Sequence, residues 1–227
     1  MKKYAISDIH GYINTFESLL NTIGYKEQED ELYILGDLVD RGPDSRGVLD
    51  KIMTMQQAGL KVFCLRGNHE QMMLNALKNP HELVFWVKRG GAPTLRNFMK
   101  DGQTQLEVPD KYTSYLENLP HFLEVDNYLL VHAGFNFHQK NPLDDIDTML
   151  WIRNWYQKIN YSFLGDRIVI HGHTPQTKKE MIAQLNNLNE EQILDIDNGC
   201  CFLDKGMNHL CAFNMTDQEL TFVPNIG

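Results

Sequence analysis

Residues 32–42 read Leu-Tyr-Ile-Leu-Gly-Asp-Leu-Val-Asp-Arg-Gly: an apolar run that stops at Gly36 and gives way to two carboxylates and a guanidinium. Leu32–Leu35 has the composition of a short buried strand, and the polar cluster follows its carboxyl end. Working outward, the same arrangement recurs on both sides. Tyr4–Ser7 runs into Asp8-Ile9-His10-Gly11, and Val62–Leu65 runs into Gly67-Asn68-His69-Glu70. Between the first two strands, Asn14 with Glu17 has the pattern of a capping box ahead of Phe16, Leu19, Leu20 and Ile23 at helical spacing. Between the next two, Ser45 precedes Val48, Leu49, Ile52 and Met55, again one helical face. Strand–helix–strand–helix–strand with polar residues past each strand predicts an open α/β sheet that binds its ligand at the strands' carboxyl edge.

Further on, Glu70 to Asn118 reads as mostly helical, with Gly90-Gly91 as a break. Phe122–Val125, Tyr128–His132, Arg167–Ile170, Ile193–Ile196 and His209–Phe213 read as strands. Turn residues between them (Asp126-Asn127, Gly165-Asp166, Lys205-Gly206) suggest a mainly antiparallel second sheet. No repeat, low-complexity tract or linker divides the chain, so residues 1–227 are expected to form a single domain. The expected fold class is α/β, with two mixed β-sheets packed face to face and helices outside.

Composition narrows the function. The 227 residues carry 21 Lys plus Arg against 30 Asp plus Glu, a net charge of −9. Nucleic acid and anionic membranes need a basic surface, so neither is an expected partner. If the substrate is a phosphate, its positive counter-charge must be local: a few arginines or bound metal ions. The start has only a three-residue apolar run before Asp8, too short for a secretory signal, and no stretch approaches a membrane span. Cys64, Cys200, Cys201 and Cys211 have no C-x-x-C spacing and read as buried reduced thiols of a cytoplasmic protein. The short acidic run Glu27–Glu31 reads as a solvated loop.

Five clusters of metal-capable residues each follow a predicted strand. Three are given above; the others are His132-Ala133-Gly134 and His171-Gly172-His173-Thr174. One such cluster is ordinary turn chemistry, but five in order are not. Asp, Asn and His supply mixed oxygen and nitrogen donors without thiolate, which suits Mn²⁺ foremost, with Fe or Zn²⁺ as alternatives, rather than calcium or a structural zinc. A pair of such cations can share one carboxylate, lower the pKa of a water between them and neutralise a phosphate. Neither a Walker loop nor G-x-G-x-x-G is present.

The set Asp-x-His-Gly, Gly-Asp-x-Val-Asp-Arg-Gly, Gly-Asn-His-Glu, His-Ala-Gly and Gly-His-Thr resembles the phosphoprotein phosphatase family of calcineurin-like metallophosphoesterases. Its compact bacterial and phage members are the most similar. The resemblance runs from Ser7 to about Gly199, and the length fits a bare catalytic domain. It implies that Asp8, His10 and Asp37 hold one metal, and that Asp37 bridges to a second held by Asn68, His132 and His173. It makes His69 the general acid, with Asp40 orienting it, and Arg41 a phosphate-gripping fork. Arg153, in Leu150-Trp151-Ile152-Arg153, resembles a second phosphate-binding arginine. His171 is expected to be structural. Two departures, Ser7 for Gly and Ala133 for Gly, are small-for-small and are expected to leave the ligands undisturbed. Asp197-Asn198-Gly199 reads as a turn rather than a ligand set. The eukaryotic Ser-Ala-Pro-Asn-Tyr segment is absent, so no obligatory regulatory subunit is expected. Trp86, Gly90-Gly91 and Thr94 are expected to shape the groove.

The resemblance thus implies a two-metal hydrolase, with in-line attack by a hydroxide held between the ions and His69 protonating the leaving oxygen. The leading expectation is a serine/threonine protein phosphatase, extending to tyrosine, acting on phosphorylated proteins or peptides. The alternative is a diadenosine tetraphosphate hydrolase of the same fold. Asp40 and Glu70 are the residues that favour the phosphomonoesterase. A binding protein on an inactive scaffold would lack His69, Asp40 or a ligand, and all are present.

Overall fold

The computed structural model describes residues 1–99 and 107–227. Strands β1 (Lys3–Ile6), β2 (Glu31–Ile34) and β3 (Val62–Cys64) alternate with helices α1 (Ile13–Thr22) and α2 (Ser45–Gln57). They pair in parallel, β1 with β2 and β2 with β3. The helical middle follows as α3 (Asn68–Lys78), α4 (Pro80–Trp86), α5 (Ala92–Phe98) and α6 (Asp110–Glu117). A bulged turn at Val87–Gly91 separates α4 from α5, and Gly90 there has φ +115°, a conformation that glycine tolerates.

The second sheet comprises β4 (Phe122–Val125), β5 (Tyr128–Val131), β6 (Ile168–His171) and β7 (Ile193–Asp195), in that order across the sheet. Helices α7 (Ile146–Trp151) and α8 (Tyr161–Leu164) fall between β5 and β6, and α9 (Lys178–Asn186) between β6 and β7. The chain then returns to the first sheet with β8 (His209–Asn214) and β9 (Glu219–Pro224), giving the order β3-β2-β1-β8-β9.

Strand alternation explains the layering. In the first sheet Tyr4, Ile6, Leu32 and Ile34 pack under the helices with Phe16, Leu19, Val48 and Ile52. Ala5, Tyr33 and Leu35 turn the other way, onto Tyr128, Leu130, Ile168 and Ile170 of the second sheet. Leu129, Val131 and Val169 form the far face, with Phe135, Met149 and Trp155. Two mixed sheets packed face to face between helices is the architecture expected from sequence.

Three local expectations are corrected. The second sheet is not mainly antiparallel: β4–β5 is antiparallel, but β5–β6 and β6–β7 are parallel. The turn residues were real, but α7–α9 supply crossovers, and β8 leaves to pair antiparallel with β1. Asn14 does not cap α1, which begins at Ile13 behind Tyr12 with no side-chain cap. A reciprocal capping box stands instead at α9, where Thr177 and Glu180 satisfy each other's backbone N–H groups. Strand β9 went unread, although Leu220 and Phe222 alternate onto the inter-sheet core. No helix of the described residues is long and apolar enough to cross a membrane.

Candidate metal centre

The carboxyl ends of β1, β2, β3, β5 and β6 converge, and each delivers one of the clusters. Asp37, just after β2, sits between the two halves. Its Oδ2 lies 3.6 Å from His10 Nε2 and its Oδ1 lies 3.5 Å from His132 Nε2. Asp8 Oδ1 is 4.0 Å from His10 Nε2, while its Oδ2 accepts from the Ser7 hydroxyl and from the His173 N–H at 3.1 Å. Ser7 therefore touches a proposed ligand. Asn68 Oδ1 is 2.9 Å from both His132 Nε2 and His173 Nδ1. Two groups close enough to grip an ion result: His10, Asp37 and His69, and Asp37, His132 and His173.

Hydrogen bonding to these rings shows what the cluster lacks. His10 Nδ1 donates to the Val39 carbonyl at 2.8 Å, and His132 Nδ1 to the Leu35 carbonyl at 2.8 Å. In the neutral rings both Nε2 atoms then carry lone pairs: that of His10 lies 2.8 Å from Arg41 Nη1 and 3.6 Å from Asp37 Oδ2, and that of His132 lies 2.9 Å from Asn68 Oδ1 and 3.5 Å from Asp37 Oδ1. His173 Nε2 is buried without a hydrogen-bond partner among the described residues. Burial pushes His10 well below the usual histidine pKa, aided by the charges of Arg41 and His69. It also pushes His173 down to about 2, with His132 and Arg153 adding to the effect. Neutral imidazole is the form that ligates. Burial raises Asp37 and Asp197 well above the carboxylate range, and nearby Asp8 adds to it. Lone pairs close to the Asp37 carboxylate, an orphaned buried nitrogen and an O/N donor set fit divalent cations. Asp8, His10 and Asp37 could hold one and Asp37, Asn68, His132 and His173 another.

The supports explain why this sequence folds locally as it does. Glu70 is fully buried, and its carboxylate accepts from the N–H groups of Asp37 (2.9 Å), Leu38 (2.8 Å), Val39 (3.2 Å) and Gly67 (2.8 Å). It thereby fastens the loop after β2 to the start of α3. A Cβ at Gly67 would overlap the Asp37 carboxylate, and one at Gly172 would overlap Ser7 and Asp8. Glycine is required at both for close approach.

His69 occupies the opposite wall. Its Nδ1 is 2.7 Å from Asp40 Oδ2 and its Nε2 is 3.1 Å from Arg41 Nη2. Burial works against its charged form, but the charge of Asp37 and the hydrogen bond and charge of Asp40 outweigh it, raising the pKa. Asp40 is held in turn by Trp86 Nε1 at 2.8 Å and Thr94 Oγ1 at 2.7 Å. The groove-shaping expected of Trp86 and Thr94 thus acts through Asp40, a role not legible from sequence.

Asp37, Arg41, Asn68, His69, Met72, Arg89, Trp151, Arg153 and His173 line a cavity of about 300 Å³. Arg89 was not anticipated. Arg153 reaches Thr174 at 3.5 Å. Cys201 is half-buried and accepts from Arg41 Nη1 at 3.4 Å, so it is not the buried core thiol expected; Cys64, Cys200 and Cys211 are buried, and all four are free. Asp197 is buried in a turn, its Oδ1 accepting from Gly199 N at 2.8 Å. His171 lies outside the cluster: its Nδ1 donates to Gly172 O at 2.9 Å, its Nε2 is 2.8 Å from the Tyr156 hydroxyl, and burial pushes its pKa down to about 4. A larger cleft, about 510 Å³, lies along edge strand β3 and shares no residue with this constellation. We place the chemistry in the smaller cavity, where the titratable groups converge.

Known proteins share these features. The chain is 26% identical over 251 aligned residues to the asymmetrical bis(5'-nucleosyl)-tetraphosphatase PrpE of Anoxybacillus flavithermus, covering 97% of this chain and 93% of the relative. It is 46% identical over 140 residues to a symmetrical bis(5'-nucleosyl)-tetraphosphatase of Acidovorax ebreus, covering 59% and 44%. It is 28% identical over 189 residues to serine/threonine-protein phosphatase 1 of Salmonella typhimurium, covering 81% and 83%. The chain spans less than half the length of the symmetrical tetraphosphatases of Acidovorax and Nitrosospira that it matches. The crystal structure of a candidate diadenosine tetraphosphatase superposes with a TM-score of 0.67 at 21% identity, covering 99% and 93%. Residues 1–203 match the calcineurin-like phosphoesterase family, and with strand ends of both sheets gathered around Asp37, the chain belongs to that family of metallophosphoesterases.

Proposed function

We propose that this chain hydrolyses dinucleoside polyphosphates such as diadenosine tetraphosphate. This reverses the order expected from sequence, for a physical reason. Asp40 and Glu70, the residues taken to favour a phosphomonoesterase, are both fully buried. Asp40 holds His69 and Glu70 holds backbone, so neither meets substrate and neither discriminates between substrates. The observation that carries the proposal is the likeness to a bis(5'-nucleosyl)-tetraphosphatase along nearly the full length of both chains.

The chain's own groups fit phosphoester and phosphoanhydride chemistry alike. Bound divalent ions would supply charge neutralisation and an acidified water. Arg41, half-buried in the site's wall and lining its cavity, offers a planar fork to a phosphoryl oxygen. His69, held by Asp40 and with its pKa raised by Asp37 and Asp40 against the effect of burial, is placed to give a proton to the leaving oxygen.

A second reading, hydrolysis of phosphorylated proteins or peptides, is favoured by the likeness to a bacterial serine/threonine phosphatase over most of both chains. A paired assay separates them. With Mn²⁺ present, kcat/KM should be higher for diadenosine tetraphosphate than for a phosphoserine peptide, and chelation should abolish both activities. The reverse ranking moves the assignment to the second reading.

A further inference from the structure

We infer that Arg89 is a specificity-determining residue that binds a second phosphate, the one beside the phosphate under attack. The inference rests on the proposed polyphosphate substrate and names the group that recognises it.

Arg89 lines the same cavity as Arg41 and Arg153. No carboxylate lies within ion-pairing distance of any of the three among the described residues, although the chain has 30 Asp and Glu against 21 Lys and Arg. Two other arginines have carboxylate partners, Arg46 with Asp50 and Arg167 with Glu124, whereas Arg66 and exposed Arg96 have none among the described residues and line no part of this cavity. What sets these three apart is convergence: in an acidic protein, three guanidiniums without a direct ion pair gathered on one cavity point to an anion with more than one phosphate.

Division of labour follows from their contacts. Arg41 touches His10 and His69, at 2.8 and 3.1 Å, so it serves the phosphate at the metal cluster. Arg89 touches none of the cluster. Its guanidinium lies over the Phe85 ring at 4.4 Å, which orients the plane while leaving the N–H edge for an oxyanion. The turn that carries it is anchored, because the Gly90 carbonyl accepts from Arg41 N–H at 2.8 Å. The backbone at Arg89 is therefore fixed beside Arg41, while its exposed side chain is oriented by Phe85. The cavity, about 300 Å³, is at the small end for ligand sites and suits a phosphate chain, leaving a nucleoside outside against exposed Trp151.

The test compares substrates with and without the second phosphate. In the metal-loaded protein, the ratio of kcat/KM for diadenosine tetraphosphate over p-nitrophenyl phosphate should fall about ten- to hundredfold in Arg89→Ala, the worth of one charge-assisted contact, and recover in part in Arg89→Lys. An unchanged ratio overturns the inference. If the wild type fails to cleave the dinucleotide, the substrate reading fails but the phosphate site is still measurable. ADP and AMP are then compared as inhibitors of aryl phosphate turnover, with metal in excess of nucleotide. ADP should inhibit more tightly than AMP, and Arg89→Ala should erase that preference. Equal inhibition by the two nucleotides in the wild type, or a preference that survives in Arg89→Ala, overturns it.

Discussion

Asp8, His10, Asp37, Asp40, Arg41 and His173 all hold left-handed backbone, with φ of 52°, 50°, 52°, 74°, 67° and 71°. Aspartate and histidine tolerate this region better than most side chains, but each such residue carries a cost that the surroundings must offset. Here the offset is visible in the Glu70 carboxylate and in the backbone bonds from His10 N to Asp37 O at 2.8 Å and Gly42 N to His10 O at 2.9 Å. Of the eleven non-glycine residues with this backbone among the described residues, these six lie at the candidate site, while Asp126, Asn154, Gln192, Asn208 and Gln218 lie in turns and loops elsewhere. One ambiguity is specific to His69, which lies near enough to His10 and Asp37 to be a ligand. Its Nδ1 is taken by Asp40, which favours proton donation. His69→Asn should then retain the metals found in wild type by elemental analysis. It should lose about 10²–10⁴-fold in turnover with a poor leaving group, and much less with p-nitrophenyl phosphate. Loss of one metal would make His69 a ligand instead. The candidate ligands were legible because each sits at a strand end with a glycine within three residues of it. Arg89 was not, because nothing local distinguishes it from Lys88: its meaning depends on Gly90 docking onto Arg41, far back in the chain.

At the scale of elements, β1 and β2 could be read because an apolar run buried on both faces ends abruptly in polar residues, and edge strand β3 could too, although its Phe63 is exposed. Pairing direction in the second sheet could not, because it depends on where α7–α9 pack rather than on turn residues. Helix–helix contacts were equally hidden. Asp50 on α2 accepts from Tyr112 at 2.7 Å and Lys111 at 3.0 Å on α6, and faces Arg46 at 3.6 Å. Burial tends to raise its pKa, but these partners outweigh it and the value is lowered. The folded-state pKa thus lies below that of the unfolded chain, about 3.9. The stabilisation is fully present above that value and disappears as pH falls through the lower, folded one. Asp50→Asn should cost stability at pH 7, by less than about 1 kcal/mol for so exposed a group. The deficit should shrink in urea unfolding between pH 5 and pH 3. A deficit that stays constant or grows over that range would mean that the contact, rather than the charge, matters.

For the whole molecule, the cluster is where the two sheets meet: Asp8, Asp37 and Asn68 follow β1, β2 and β3, while His132 and His173 follow β5 and β6. Ions bound there would fasten one sheet to the other, so metal binding should register as global stability rather than only as activity. A ligand at a hundred times its Kd stabilises by about 2.7 kcal/mol. For a chain of this size that is a rise in Tm of about 5–10 °C. Mn²⁺ added to chelated protein should produce a shift of that order. The histidines flanking Gly172 then discriminate. His173 presents a buried nitrogen without a hydrogen-bond partner among the described residues and packs its ring against His132, centroids 5.0 Å apart. His171 is committed to Tyr156 and to Gly172. Both are buried, so either alanine variant will lower the Tm of the metal-free protein, and the informative quantity is the metal-dependent increment. His173→Ala should lose most of that increment, because a donor to the ion is removed. His171→Ala should keep it, requiring at most about 10–100-fold more Mn²⁺ to reach it. If His171→Ala is the variant whose Tm excess metal cannot raise, the second metal lies on the other side of Gly172 and the assignment of His173 fails.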